Sequence, residues 1–200
     1  AHQRVGVRDV TEAHGGAGTD ELGIASAPDT VFDFRNVVLS GFESFRMSGG
    51  TVQFSASQIA TAFTSNLSLN SSAFASVDVL QIFATSSTTL SLAGWTFFQW
   101  TAIDRIEIFG SSGIDTIVGS SKNDWITGGG GNDTLNGGDG IDTAIFNVDI
   151  STASWQRNGV SIVVTSAEGT DSLFNVERLA FNDGRSVVFD THVRQTFSDD

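Results

Sequence analysis

Apolar and polar residues alternate along most of this chain in short runs, rather than recurring at helical spacing. Thr51-Val-Gln-Phe54, Leu67-Ser-Leu69 and Leu90-Ser-Leu92 each place an apolar side chain at every second position, the pattern of a half-buried strand. Asp20-Glu-Leu-Gly-Ile24, Asp78-Val-Leu-Gln-Ile82 and Asp104-Arg-Ile-Glu-Ile108 share the form Asp-x-(Leu/Ile)-x-Ile. Ser57-Gln-Ile-Ala-Thr-Ala-Phe63 breaks the alternation and predicts a short helix, either a cap or an external excursion. The pattern as a whole predicts an all-β fold.

The middle of the chain aligns with itself nine residues at a time. Gly110-Ser-Ser-Gly-Ile-Asp115-Thr-Ile-Val118 is followed by Gly119-Ser-Ser-Lys-Asn-Asp124-Trp-Ile-Thr127. Gly128-Gly-Gly-Gly-Asn-Asp133-Thr-Leu-Asn136 and Gly137-Gly-Asp-Gly-Ile-Asp142-Thr-Ala-Ile145 complete the run. Each unit reads as a six-residue turn ending in Asp, then a three-residue strand whose middle side chain points inward: Ile117, Ile126, Leu135 and Ala144. One unit cannot bury that side chain alone, so neighbouring units must stack and share a core. Glycines permit positive φ and let backbone carbonyls approach one another. Carbonyl and carboxylate oxygens are hard ligands, and a flexible cage of them suits Ca²⁺ better than Mg²⁺, which demands a tighter octahedron.

These units resemble the RTX nonapeptide, Gly-Gly-x-Gly-x-Asp-x-U-x with U a large apolar residue, of calcium-binding bacterial proteins. The resemblance implies a right-handed parallel β-helix or β-roll in which two nonapeptides form one coil and calcium lies between turns on the same side. It therefore groups Asp115 with Asp133 on one side and Asp124 with Asp142 on the other. It implies further ligands from the turn residues Gly110, Gly113, Gly119, Gly128, Gly130, Gly131, Gly137 and Asp139. Ser111, Ser112 and Lys122 depart from the ideal motif, and an ammonium beside a cation would repel it. The Asp115–Asp133 pair is thus expected to be the sounder of two sites.

The flanks extend this picture. Gly15-Gly-Ala-Gly-Thr-Asp20 is a single motif-like turn, and residues 15–109 are expected to form longer, irregular coils running into the regular roll at 110–145. A Gly41-Phe-Glu43 turn follows Val37-Val-Leu39. Residues 146–190 read as a C-terminal β-hairpin cap. Asn158-Gly159 and Asp183-Gly184 each stand between strand-like runs, the strongest short hairpin cue. Gly169 to Gly184 resembles the cap that commonly follows RTX repeats, and Asp171 is either an added ligand or a turn residue. An uncapped roll would expose strand edges and apolar core.

Composition narrows the function. Asp and Glu total 23 against 10 Lys and Arg, a formal charge of −13, which disfavours nucleic acid and anionic membranes and suits a collector of cations. The absence of cysteine excludes thiolate metal sites and a cysteine nucleophile. No apolar stretch reaches the length of a membrane span. The chain begins at Ala1 without Met and shows no signal peptide, as expected of a processed form or an excised part of something longer. Its three histidines, His2, His14 and His192, form no zinc motif, and no nucleophile elbow or phosphate-binding loop occurs. Asp78, Asp104 and Glu107 are the acids to weigh for lyase-type chemistry. Arg105 and Glu107 alternate with Ile106 and Ile108, which favours a solvated, salt-bridged face. Trp95, Phe97, Phe98 and Trp100 are either a sugar-stacking surface or core, and with 16 Phe in the chain core is the expectation.

The reading that results is a non-catalytic calcium-binding module of a secreted or cell-surface bacterial protein, of adhesin or surface-layer type. Surface polysaccharide or self-assembly are its candidate partners besides calcium ions. The alternative is the C-terminal secretion and folding domain of a secreted protease, lipase or glycan-active enzyme. The resemblance also implies type I secretion.

Overall fold

The computed structural model describes residues 12–14, 17, 20–24, 31–47, 49–70 and 77–189, without the side chains of 12–14 and 60–70. His2, His192 and most of the turn expected at 15–20 lie outside the described residues. The first half of the chain gives β1 (Glu12–His14), β2 (Glu21–Gly23), β3 (Val31–Asp33), β4 (Val38–Ser40), β5 (Phe42–Arg46) and β6 (Gly50–Ser55). A short helix, α1 (Ala56–Ala62), then leads to β7 (Phe63–Asn70), β8 (Asp78–Phe83), β9 (Thr89–Ser91), β10 (Thr96–Phe98) and β11 (Arg105–Phe109). The alternating stretches are therefore strands. The helix starts where Ser55 and Gln58 cap each other, Gln58 Oε1 accepting from Ser55 N–H and Ser55 Oγ accepting from Gln58 N–H, a reciprocal box that satisfies two orphan donors.

Four nonapeptides give four strands: β12 (Thr116–Val118), β13 (Asp124–Thr127), β14 (Thr134–Asn136) and β15 (Thr143–Phe146). Units one and three pair in parallel, Thr116 opposite Thr134, while units two and four pair with Trp125 opposite Thr143. One coil is thus two nonapeptides, with its strands on opposite walls. The inward residues Ile117, Ile126, Leu135 and Ala144 are all at most 1% exposed. The roll does not start afresh at residue 110, because β11 pairs with β13 and β9 with β12, both in parallel. One wall runs β3-β6-β8-β11-β13-β15 without interruption, and all five of those pairings are parallel.

The core changes character along the axis. Early coils are filled by Phe34, Phe42, Phe45, Met47 and Phe54, each essentially inaccessible, with Phe34 stacked on Phe54 and Phe45 edge-on to it. Trp95 joins this core, Phe97 and Trp100 pack against its rim, and Phe98 faces outward. Gly41, with φ of 72°, turns the chain between β4 and β5, a conformation that favours glycine.

The cap comprises β16 (Ser154–Asn158), β17 (Ser161–Thr165), β18 (Thr170–Phe174), β19 (Arg178–Phe181) and β20 (Ser186–Val188). β16 and β17 form the expected hairpin, but Asn158 pairs with Ser161. Gly159 and Val160 are therefore the two turn residues, rather than Asn158 and Gly159, and Gly159 alone of the pair carries positive φ. β19 and β20 form a second antiparallel hairpin around Asp183-Gly184. Between them, β18 returns to parallel pairing on β14, and β19 pairs in parallel with β15.

Candidate metal centre

The aspartates ending each turn are stacked in two columns. On one wall Asp115 N–H donates to Asp133 Oδ1 and Asp133 N–H to Asp171 Oδ1, each at 2.8 Å. On the other, Asp124 N–H donates to Asp142 Oδ1 and Asp142 N–H to Glu177 Oε2, again at 2.8 Å. All four repeat aspartates are at most 2% exposed. Burying such carboxylates near one another without a counter-charge is costly. The structure thus brings together the Asp115–Asp133 and Asp124–Asp142 pairs that the resemblance implied.

The second oxygen of each carboxylate separates the units into two kinds. Asp115 Oδ2 accepts from Ser111 N–H at 2.7 Å and from its hydroxyl at 2.9 Å. Asp124 is held in the same way by Ser120, through N–H to Oδ2 and hydroxyl to Oδ1. Units three and four have Gly129 and Gly138 at that position, with φ of 92° and 104°. They supply no hydroxyl, and Asp133 Oδ2 and Asp142 Oδ2 are buried with no hydrogen-bond partner. A buried carboxylate oxygen without a protein partner calls for an ordered water or an ion to satisfy it. These two sites fit a hard divalent cation.

The glycines act through space as well as φ. A Cβ at Gly110 would lie 2.0 Å from the Gly128 carbonyl oxygen, and one at Gly119 2.2 Å from that of Gly137. At Gly128 and Gly137 it would strike the orphaned oxygens of Asp133 and Asp142, at 2.4 and 2.3 Å. Gly131 meets the Gly113 carbonyl, and Gly113 itself is closed in by Ser87 Oγ. Gly130 N–H donates to the Ser111 carbonyl, and its Cβ position is free of tight contact. Asp139 is exposed at the turn surface, its N–H donating to the Ser120 carbonyl. Among the described residues no three carboxylate or imidazole side chains converge, so a cation in these turns would draw most of its oxygens from the backbone.

Burial sets the electrostatics. It pushes the Asp142 carboxyl up to about 8, with repulsion from Asp124, Glu177 and Asp139 adding to it. Burial likewise raises Asp124 to about 7 despite the Ser120 hydrogen bonds, and Asp171 to about 6. Asp133 moves in the same direction for the same reason. A bound divalent cation reverses this logic by favouring the ionised form. Lys122, expected to oppose a cation, has its Nζ 5.8 Å from the centroid of the Phe97 ring.

Residues 109–144 match the RTX calcium-binding nonapeptide repeat in four copies. This segment is an RTX repeat array. The RTX family binds calcium ions, and its repeats occur in secreted bacterial proteins. No curated protein matches the chain. Among the described residues no helix is long and apolar enough to cross a membrane.

The acids weighed for catalysis have other employment. Asp104 accepts from Asp78 N–H, Thr101 N–H and the Thr101 hydroxyl, and Asp78 accepts from Gly49 N–H. Glu107 faces outward, accepting from Gln81, which is itself the acceptor for Gln53. Arg105 stands 3.9 Å from Glu107 and lies over the Trp125 ring. Sequence reasoning did not foresee the role of Ser111 and Ser120, although Ser in place of the second motif glycine was the visible signal.

Proposed function

We propose that this chain is a non-catalytic calcium-dependent folding and binding module of a secreted or cell-surface bacterial protein, of adhesin or surface-layer type. The observation that carries the reading is the pair of orphaned buried oxygens, Asp133 Oδ2 and Asp142 Oδ2, in the two turns closest to the RTX consensus. Asp115, Asp124, Asp133 and Asp142 would supply the charged ligands. Carbonyls from the turns containing Gly110, Gly113, Gly119, Gly128, Gly130, Gly131, Gly137 and Asp139 would complete the cages.

Cation binding then contributes directly to folding, because the unfolded chain holds no preformed site. A chain whose roll stays open at low calcium and closes at high calcium suits export before folding is complete, as in type I secretion. The use of Asp78 and Asp104 as backbone acceptors supports the non-catalytic part of the reading. The test is circular dichroism and thermal melting with calcium and with chelator. Calcium should raise the midpoint and the strand signal; an identical spectrum and midpoint in chelator would sink the proposal.

A further inference from the structure

Past the last matched repeat the chain makes a 3-10 turn (Ile150–Thr152) and the β16–β17 hairpin, whose strands extend the β14 wall, then reverses through residues 166–169 into β18. What it lays down there is Ser166-Ala-Glu-Gly169-Thr-Asp171-Ser-Leu173-Phe174. Gly169, Asp171 and Leu173 occupy the fourth, sixth and eighth places of a nonapeptide.

The turn itself also closes the β17–β18 hairpin, with Ser166 N–H donating to the Gly169 carbonyl at 2.9 Å. Gly131 N–H donates to the Glu168 carbonyl at 2.8 Å. The stacking around the turn repeats that of the matched units. Leu173 lies opposite Leu135, as Leu135 lies opposite Ile117. Ser172 N–H donates to the Asp133 carbonyl at 2.8 Å, as Thr134 N–H does to that of Asp115 at 2.9 Å. Asn132 Oδ1 accepts from Thr170 N–H, as Asn123 Oδ1 accepts from Ile141 N–H, both at 2.9 Å. Gly169, with φ of 149°, approaches the Gly131 carbonyl so closely that a Cβ would lie 1.6 Å from it, as Gly131 approaches Gly113. The hydrogen-bonded aspartates are eighteen residues apart within the array and thirty-eight apart here, so the hairpin is an insertion between two turns of one column.

We propose that residues 166–171 are a fifth turn of the array, and that a calcium site lies between this turn and residues 128–133. Asp133 commits Oδ1 to the preceding coil, through Asp115 N–H. Its other oxygen, in a side chain 2% exposed, has no partner, and the turn that follows it in the column is 166–171. Asp133 and Asp171 are the charged ligands, and backbone carbonyls of the two turns supply the rest. Glu168 is tied by its own carboxylate to Asn147, so it contributes negative charge at the rim. The other column ends differently, on the short Asn175-Val-Glu177 corner, which contains no glycine and where Asn175 holds φ of 49°.

The proposal rests on the calcium-binding reading, and its test separates the two. Isothermal calorimetry of the full chain, stripped of metal and titrated with CaCl₂, counts sites in the wild type and in Asp171→Asn, which keeps an oxygen to accept from Asp133 N–H. The variant should bind one calcium fewer per chain and retain the others. Heat of binding absent from the wild type would defeat the calcium reading itself. Full wild-type stoichiometry in Asp171→Asn would overturn the fifth-turn site and leave the reading intact. Should the variant fail to fold, a crystal structure of the wild type grown with calcium decides. Anomalous density between residues 128–133 and 166–171 upholds the site, and its absence there beside occupied repeat turns overturns it.

Discussion

The coils before residue 110 and the roll after it are built on one parallel scaffold and held by different forces. The early coils bury whole phenyl rings, Phe34, Phe42, Phe45 and Phe54, together with Met47. Their buried acids Asp78 and Asp104 accept from backbone N–H groups. The roll offers one modest inward side chain per unit, and the last of these is Ala144. Apolar burial is roughly proportional to area, so the early coils gain much more from it. The roll instead carries a column of buried carboxylates on each wall, two of them with an orphaned oxygen. The difference teaches that a parallel coil can be closed either by a wide apolar core or by cations, and that this chain changes from one to the other along its axis.

The sharpest way to break that comparison is chelation monitored by amide hydrogen exchange. Removing calcium should strip protection from β12 to β15 across the roll and leave β8 and the core amides of β6 largely protected. Uniform loss along the whole chain would show that the two regions do not differ as argued. Next in size, Asp133→Ala should weaken calcium binding by at least the roughly 10–100-fold that changes around a metal site cost. Asp104→Ala should destabilise the fold equally with and without calcium. Calorimetry and melting of the two variants check both halves.

The comparison is sharpened by pH. Asp142, Asp124 and Asp171 have folded values raised to about 8, 7 and 6 by burial, above the ordinary carboxylate range near 4. A raised value means that the protonated form is favoured by folding. The stability it gives is complete below about pH 4 and is lost as pH rises through the folded values. In chelator the melting midpoint should therefore fall between about pH 4 and 8. With calcium the fall should flatten or reverse, and affinity should rise with pH because binding expels protons. A midpoint that climbs with pH in chelator would contradict the burial argument.

The smaller effects concern packing. Leu80→Ala, in the early wall, should cost about 2–5 kcal/mol with or without calcium. Ile126→Ala should be partly masked at saturating calcium, as measured by denaturant titration. Least of all, Gln81→Ala should change stability by well under about 1 kcal/mol, since the Gln53–Gln81–Glu107 chain of hydrogen bonds is on the outer face.

How legible these two regions were in the sequence differs for a physical reason. The strand centres of the roll were legible, since a nine-residue period fixes them, and Ile117, Ile126 and Leu135 sit where the period puts them. The strand ends differ, β13 beginning on Asp124 and β15 running on to Phe146. The early coils yielded strands but not their layers, because Phe34 and Phe45 lie in segments whose spacing carries no period. Ser111 was seen only as a departure from a motif, and Ser120 was not singled out. Their effect, closing the carboxylates of Asp115 and Asp124, depends on a turn geometry that spacing does not encode. Likewise Asn158-Gly159 announced a hairpin, but the cross-strand register with Ser161 moved its centre by one residue.

The reversal of strand direction in the cap has a consequence for how copies of this chain can meet. A stack of parallel strands has no intrinsic length: each added coil presents the same edge as the one before it, and a second molecule could continue the series. Here one wall finishes on β20, which runs against its neighbour β19, while on the other β17 runs against β18 and the edge strand β16 turns back into the direction of β18. Only the β20 edge opposes the direction of the parallel strands it follows. On that wall a second copy added head to tail would meet a strand of the wrong direction, and the cap breaks the parallel series there.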